Sequence, residues 1–440
     1  MRYPRGCTLF SIFTSLFIFP PCLDGQTYKF QQYGIEDGIC HTFVYTVNQD
    51  KAGYLWLGTG EGLCQFDGFS FTGNFTNDSL PAAFVKKIFR DQKGDLWFGH
   101  NDGSISYYNG KNFHIIPTEP KITSTINDIT EDNQGNILFL TQNRGLISVN
   151  KDLTARVIDG PFRGLLLSSF ACLDNGFILI GGYDGLYLYF HDIQNDTIIK
   201  KFQFEKIPYC RIRTVIESNR KNTFWIGTED EGLFRLNLID PAKEQYEIEK
   251  VHYGNTLQYT TILDIYESVE GILWLSTQRE GVYKLTLAED GLRISDLINF
   301  NESNGLGSQY IQEMLEDIEG NMWFGTYGNG LIALFDEAFT FYNFEDVLGP
   351  DIYSVLSTPE DIWLGATGKL MRRMNVGGET RLFTSRNGLP DDRITALFLD
   401  TKGYLWIGSE SSGLYRMNPS TRQISRYHFS QNSLENTINN

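Results

Sequence analysis

The 440 residues are 41% hydrophobic and 14% aromatic, with 43 glycines against only 13 prolines, a composition that excludes disorder, collagen and a disulfide-dense mini-domain. Acidic residues outnumber basic ones by 54 to 37, for a net charge of −17. So acidic a surface repels phosphate backbones and anionic lipid, which argues against nucleic acid as a partner and against a peripheral membrane role.

At the N-terminus, Arg2 and Arg5 precede an almost wholly apolar run from Cys7 to Phe19, which Pro20 and Pro21 break ahead of Leu23, Asp24 and Gly25. A basic start, a short apolar stretch and a small residue at its exit predict a secretory signal peptide over residues 1–25 and hence export to the periplasm. The 13 apolar residues are too few to cross about 30 Å of hydrocarbon as a helix. Four cysteines follow, Cys40, Cys64, Cys172 and Cys210. Their spacings match no metal or redox motif, and buried free thiols are expected.

Beyond the leader one motif recurs. Gly53-Tyr-Leu-Trp-Leu-Gly-Thr59, followed by Gly62-Leu63, has copies centred on Trp56, Trp97, Leu138, Leu179, Trp225, Trp274, Trp323, Trp363 and Trp406, at intervals of 40 to 49 residues. All 7 tryptophans of the chain occupy this position. A short alternating segment opens each copy, such as Ile126–Ile129 or Ile394–Phe398, and an acidic turn ending in Gly follows, as in Asp50–Gly53, Asp91–Gly94, Asp317–Gly320 and Asp400–Gly403. Asp bonds its own turn amides and Gly accepts positive φ, which is tight-hairpin chemistry. The Trp strand comes next, then a second turn into a Gly-Leu strand such as Leu233–Leu236, then an aromatic fourth strand such as Phe339–Phe344 or Ile424–Phe429.

Four short antiparallel strands per period, repeated end to end, predict an all-β protein built of β-propeller blades. The recurring Trp is expected between adjacent sheets, where an indole covers roughly 150–250 Å². Leu138 and Leu179 fill that space less, so the third and fourth blades are expected to be looser.

The pattern Asp-x-x-Gly-x-Leu-Trp-x-Gly-Thr with a following Gly-Leu resembles the two-component regulator propeller repeat, over residues 28–429. The resemblance implies a periplasmic sensor with seven-bladed propellers, part of a hybrid two-component system that detects oligosaccharides released from complex glycans. It also implies a kinase elsewhere: the 440 residues carry no kinase or receiver motif and are expected to be the front piece of such a sensor. A seven-bladed ring over residues 26–344, two further blades over 345–429 and the opening of a tenth repeat over 430–440 are preferred to a single ring of eight or nine blades.

Catalytic and metal constellations are not found. His41, His100, His114, His191, His252 and His428 are scattered, no nucleophile elbow or phosphate-binding loop occurs, and neither a cofactor nor a metal is expected. A propeller enzyme (a lyase or a quinone-dependent dehydrogenase) and a structural, protein-docking propeller are the rival readings. The turns between the Gly-Thr and Gly-Leu elements and the loops leading into each first strand are expected around one mouth of the central channel. Arg144, Tyr183, Arg279 and Tyr327, with His100 and Gln278, are the candidate ligand contacts, because planar polar groups beside aromatic faces suit sugars. The expected partner is an oligosaccharide, with a homodimer or a membrane sensor kinase as the protein partner.

Overall fold

A computed structural model describes residues 26–427, apart from 74, 76–79, 81–83, 159, 163, 175, 193–196, 253–255, 289–292, 336–339, 343–344, 375–379 and 419. The expected signal peptide over 1–25 and the opening of a tenth repeat over 430–440 lie outside the described residues. The described chain holds nine four-stranded antiparallel sheets and divides into two compact units, one spanning Thr27–Phe341 and one containing the residues from Tyr342 onward.

The repeated motif builds each blade in a consistent way. Asp50 Oδ1 accepts the amides of Ala52 and Tyr54 at 2.9 and 3.1 Å, while Oδ2 accepts the indole Nε1–H of Trp56 at 2.8 Å. The same carboxylate-to-indole bond links Asp91 to Trp97, Asp317 to Trp323 and Asp400 to Trp406. In the fifth copy Ser218 takes the Asp position, and the Trp225 indole donates instead to Glu267 of the next blade at 2.9 Å. The acidic turn therefore satisfies a buried donor as well as folding the hairpin, and an unpaired indole N–H would cost about 1–3 kcal/mol. Gly99 of the second copy is required by close approach, because a Cβ there would lie 2.4 Å from Ile126 Cγ2 of the following blade.

Each motif side chain except Trp406 packs into a neighbouring sheet. Trp56 is clustered with Val85, Ile88, Leu96 and Phe98, and Trp97 with Ile126, Ile129 and Phe139. Leu138 and Leu179 are equally enclosed, and aromatic rings from other positions fill the volume an indole would take: Phe162, Phe170 and Tyr189 beside Leu138, and Phe204 and Phe224 beside Leu179. The looser packing expected of blades three and four is not seen, because replacement rings come from the linkers (Phe162, Phe204) and from other strands of blades four and five (Phe170, Tyr189, Phe224).

In the first unit the seven innermost strands are Val44–Gln49, Val85–Arg90, Ile126–Glu131, Leu167–Cys172, Ile212–Glu217, Ile262–Glu267 and Ile311–Glu316. Neighbours lie side by side in cyclic order, and the seventh lies against the first. The seventh blade takes its outer strand from Phe30–Tyr33, antiparallel to Leu331–Leu334 with Phe30 opposite Leu334. Of Phe339–Phe344, expected as that outer strand, the described portion Thr340–Tyr342 is not part of this sheet but a strand elsewhere. Pairing the two ends of the unit in one sheet leaves no open edge in the ring. Trp323 packs against Val44, Leu55 and Leu57 of the first blade, which seals the same joint with apolar surface.

Cys40 and Cys64 form a disulfide, with Cα atoms 5.8 Å apart, which corrects the expectation of free thiols for this pair. The reason is topological: the segment leaving Phe30–Tyr33 crosses over blade 1 and brings Cys40 onto the third strand, Gly62–Phe66. Cys172 and Cys210 are free.

The second unit contains two sheets, built from Ser354–Ser357 to Thr380–Phe383 and from Ile394–Leu399 to Ile424–Tyr427. Trp363 is buried between them with Leu370, Phe383, Ile394 and Ile407. Trp406, on the outer sheet, is only partly covered.

Candidate ligand-binding site

The seven innermost strands of the first unit surround a channel of about 590 Å³, within the range of roughly 300–1,000 Å³ typical of small-ligand sites. Each of these strands breaks register after its first residue, at Val44/Thr46, Val85/Lys87, Ile126/Asp128, Leu167/Ser169, Ile212/Thr214, Ile262/Asp264 and Ile311/Glu313. The looped-out residues are Tyr45, Lys86, Asn127, Ser168, Arg213, Leu263 and Gln312, and all seven line the channel. A bulge re-aims a side chain that regular pleating would bury, so this repeated irregularity gives the channel mouth its chemistry.

The next residue along each strand forms a deeper layer that joins the blades. Thr46 Oγ1 accepts the Ile88 amide of the following blade at 3.0 Å, Asp128 Oδ2 that of Phe170 at 3.1 Å, Ser169 Oγ that of Val215 at 3.0 Å, Asp264 Oδ2 that of Met314 at 2.9 Å, and Glu313 Oε2 that of Val47 at 3.0 Å. Lys87 has no oxygen to offer at its place in the series, and Ile129 donates instead to Asp128 Oδ1 at 3.0 Å. The Lys87 ammonium pairs with Glu313 and stands 4.0 Å from Asp128. Burial opposes its charge, but Glu313, Asp128 and Asp264 outweigh burial and raise its pKa. Among the described residues Asp264 has no ion pair within 4.0 Å, and Lys87 only partly offsets the shift. Burial, and then the Glu313 charge, push its carboxyl up to about 7. Asp128 is also raised by burial, against the pull of Lys87.

Above this layer aromatic rings and cations are interleaved around the mouth. Tyr327, 45% exposed, stacks on Tyr310 at 4.9 Å and meets Phe43 at 4.6 Å, while Tyr45 meets Phe84 at 4.6 Å. On blades four and five the Arg211 guanidinium lies 3.8 Å over the Tyr183 ring and 4.0 Å from Glu229. Arg213 lies beside it, and the Lys86 ammonium sits 4.9 Å over the Tyr45 ring. Burial lowers the Lys86 pKa to about 8, Glu313 opposes that shift, and Lys87, Arg213 and Arg211 add to it.

Of the six candidate contacts, Tyr183 and Tyr327 do not line the channel but touch residues that do, Tyr183 under Arg211 and Tyr327 beside Tyr45 at 6.2 Å. Arg144 lines a separate hollow of about 400 Å³ with Pro120, Ile122, Val157 and Phe162. Gln278 and Arg279 lie on the corresponding turn of blade six, Gln278 donating its backbone N–H to the Thr261 carbonyl and Arg279 exposed. His100 is placed differently from the expectation: it is 0% exposed and its Nε2 lies 2.8 Å from Ser106 Oγ. It occupies the position held by Thr59, Thr141, Thr228 and Thr326, which are buried and bond the carbonyl of the turn Gly, so the motif draws it inward. Tyr45, Lys86, Arg211, Arg213 and Tyr310 were missed. Their signal was positional: each lies immediately before or after the first apolar residue of an innermost strand, a register visible once the repeats are aligned.

Seven four-stranded sheets arranged cyclically around a channel define this unit as a β-propeller. Two segments, residues 305–328 in the first unit and 388–411 in the second, match the family model described as "Two component regulator propeller". No curated protein sequence matches the chain. Among solved structures it is similar to the extracellular domain of a hybrid two-component system from B. thetaiotaomicron, with 19% identity and a TM-score of 0.70 over 92% of this chain and 55% of that one. A second such domain from the same organism is 20% identical with a TM-score of 0.55, over 91% of this chain and 53% of that one. Virginiamycin B lyase from Staphylococcus aureus shares the fold over 70% of this chain and 98% of its own, with 16% identity and a TM-score of 0.55. The chain thus spans little more than half the length of the two sensor domains.

Proposed function

We propose that this chain is the ligand-sensing propeller region of a hybrid two-component system, that it works outside the cytoplasm, and that its ligand is an oligosaccharide from a complex glycan. The observation that carries the reading is the mouth itself: Tyr45 lines an open channel among polar side chains, and the flat rings of Tyr183 and Tyr327 lie against the lining residues Arg211 and Tyr45. Pyranose faces stack on such rings while their hydroxyls meet the polar groups. The repeat family and the similarity to extracellular domains of hybrid systems support the signalling role, and the Cys40–Cys64 disulfide suits an oxidising compartment. The chain acts by binding rather than by catalysis, and a histidine kinase encoded elsewhere in the protein or on a membrane partner reads the bound state.

Calorimetry against a panel of plant and host oligosaccharides tests this. Binding by at least one member is expected, weakened tenfold or more by Tyr327→Ala with the fold retained. Turnover of a panel member would favour the enzyme reading instead.

A further inference from the structure

We propose that the ligand seated at this mouth is an acidic saccharide, whose carboxylate or sulfate is held by Arg211, Arg213 and Lys86 while a sugar ring lies on the neighbouring tyrosine rings. This rests on the reading of the site as a saccharide receptor and specifies the saccharide's charge. Three observations carry it. First, the sign of charge reverses locally: a chain of net charge −17 places three cations together at the mouth, and the carboxylate paired with them there, Glu229, lies 4.0 Å from Arg211 alone. Second, the Nε atoms of Arg211 and Arg213 are buried with no hydrogen-bond partner. A buried guanidinium donor left unpaired is costly, and an oxyanion that turns the guanidinium to present this Nε–H with an Nη–H, in the fork geometry arginine favours, removes that cost. Third, the cations repel one another, which helps hold Lys86 near 8; an anion between them relieves that repulsion too.

Geometry also limits how far the anion enters. One residue deeper, Asp128, Asp264 and Glu313 outnumber Lys87, so a negative group is attracted to the upper layer and turned back by the lower one. The ligand's charge stays at the rim, where Tyr183 lies beneath Arg211 and Tyr327 lies beside Tyr45.

Three size-matched probes test the inference by calorimetry at pH 7: trigalacturonate, sulfated neocarrabiose and neutral β-1,4-galactotriose. An acidic probe is expected to bind at least tenfold more tightly than galactotriose, and carboxylate or sulfate is identified by which of the two binds. Arg213→Gln is expected to lower that affinity tenfold or more with the circular dichroism spectrum retained, and Lys86→Met provides a second variant should Arg213→Gln fold poorly. Raising the pH from 7 to 9 is expected to weaken binding in the native protein, as Lys86 loses its proton amid Arg211, Arg213, Lys87, Glu313 and Tyr45, but not in Lys86→Met. Galactotriose binding as tightly as the acidic probes, or unchanged acidic binding in both variants, would overturn the inference and leave the receptor reading standing. Failure of every saccharide to bind would overturn both.

Discussion

Replacing Trp56 by leucine, the residue that blades three and four already carry at this position, measures what the indole contributes to the joint between blades one and two. Trp56 is fully buried and surrounded by Phe75, Phe98, Tyr108 and Phe113, with ring centroids 5.1 to 6.3 Å away. Leucine keeps roughly half of the buried apolar area, so the loss is about 2 kcal/mol at about 25 cal/mol per Å². Asp50 Oδ2 also loses its donor, which adds about 1–3 kcal/mol for a buried acceptor. The expected total is about 3–5 kcal/mol, read from guanidinium denaturation. In hydrogen exchange the loss of protection should concentrate in Leu55–Thr59 and Val85–Arg90. Trp406→Leu is the internal control: its indole makes the same bond to Asp400, but it is only partly covered, and a cost below about 1 kcal/mol is expected. Equal costs at the two sites would refute the argument that the indole acts by wedging between sheets.

Two further outcomes follow from the interior. Asp264 has a pKa raised from 3.8 to about 7 in the folded chain, so the native state holds this proton more tightly than the unfolded chain. Its contribution to stability is greatest below pH 4 and is lost as pH rises through 7. Asp264→Asn keeps an oxygen for the Met314 amide and is expected to gain on the order of 2 kcal/mol over the native chain between pH 5 and 8; a difference independent of pH in denaturant titrations would contradict the assignment. The Cys40–Cys64 bridge closes a loop of sequence separation 24, so Cys64→Ser should lower stability by about 3 kcal/mol and abolish the sensitivity of the native protein to reductant, both read by thermal melts with and without dithiothreitol.

The blade architecture was legible because one large side chain per period must be buried, and its spacing reports the sheet directly. Three features went unread, two of them because they depend on groups distant in sequence. Phe30–Tyr33 pairs with Leu331–Leu334 across almost the whole first unit, and no local pattern distinguishes it from the fourth strand expected at Phe339–Phe344. The Cys40–Cys64 bond depends on where that returning segment crosses blade 1. The second carboxylate oxygen of Asp50, Asp91 and Asp317 was unassigned, although the constant six-residue offset from Asp to Trp was available to reveal it. At the channel, Tyr183 and Tyr327, named from the turns, lie against lining residues, whereas Lys86 and Arg213 line it through a bulge, and the sequence within a strand does not announce the loss of register. His100 was misjudged for the converse reason, since its alignment with the buried threonines of the motif outweighs its polarity.

Hydrogen exchange on the native chain with and without saturating trigalacturonate tests the central claim most directly, that the mouth of the seven-bladed unit is the receptor site. Added protection is expected at residues 43–45, 84–86, 183, 211–213, 310 and 327. Unchanged exchange there, or protection confined to the residues after Tyr342, would contradict it.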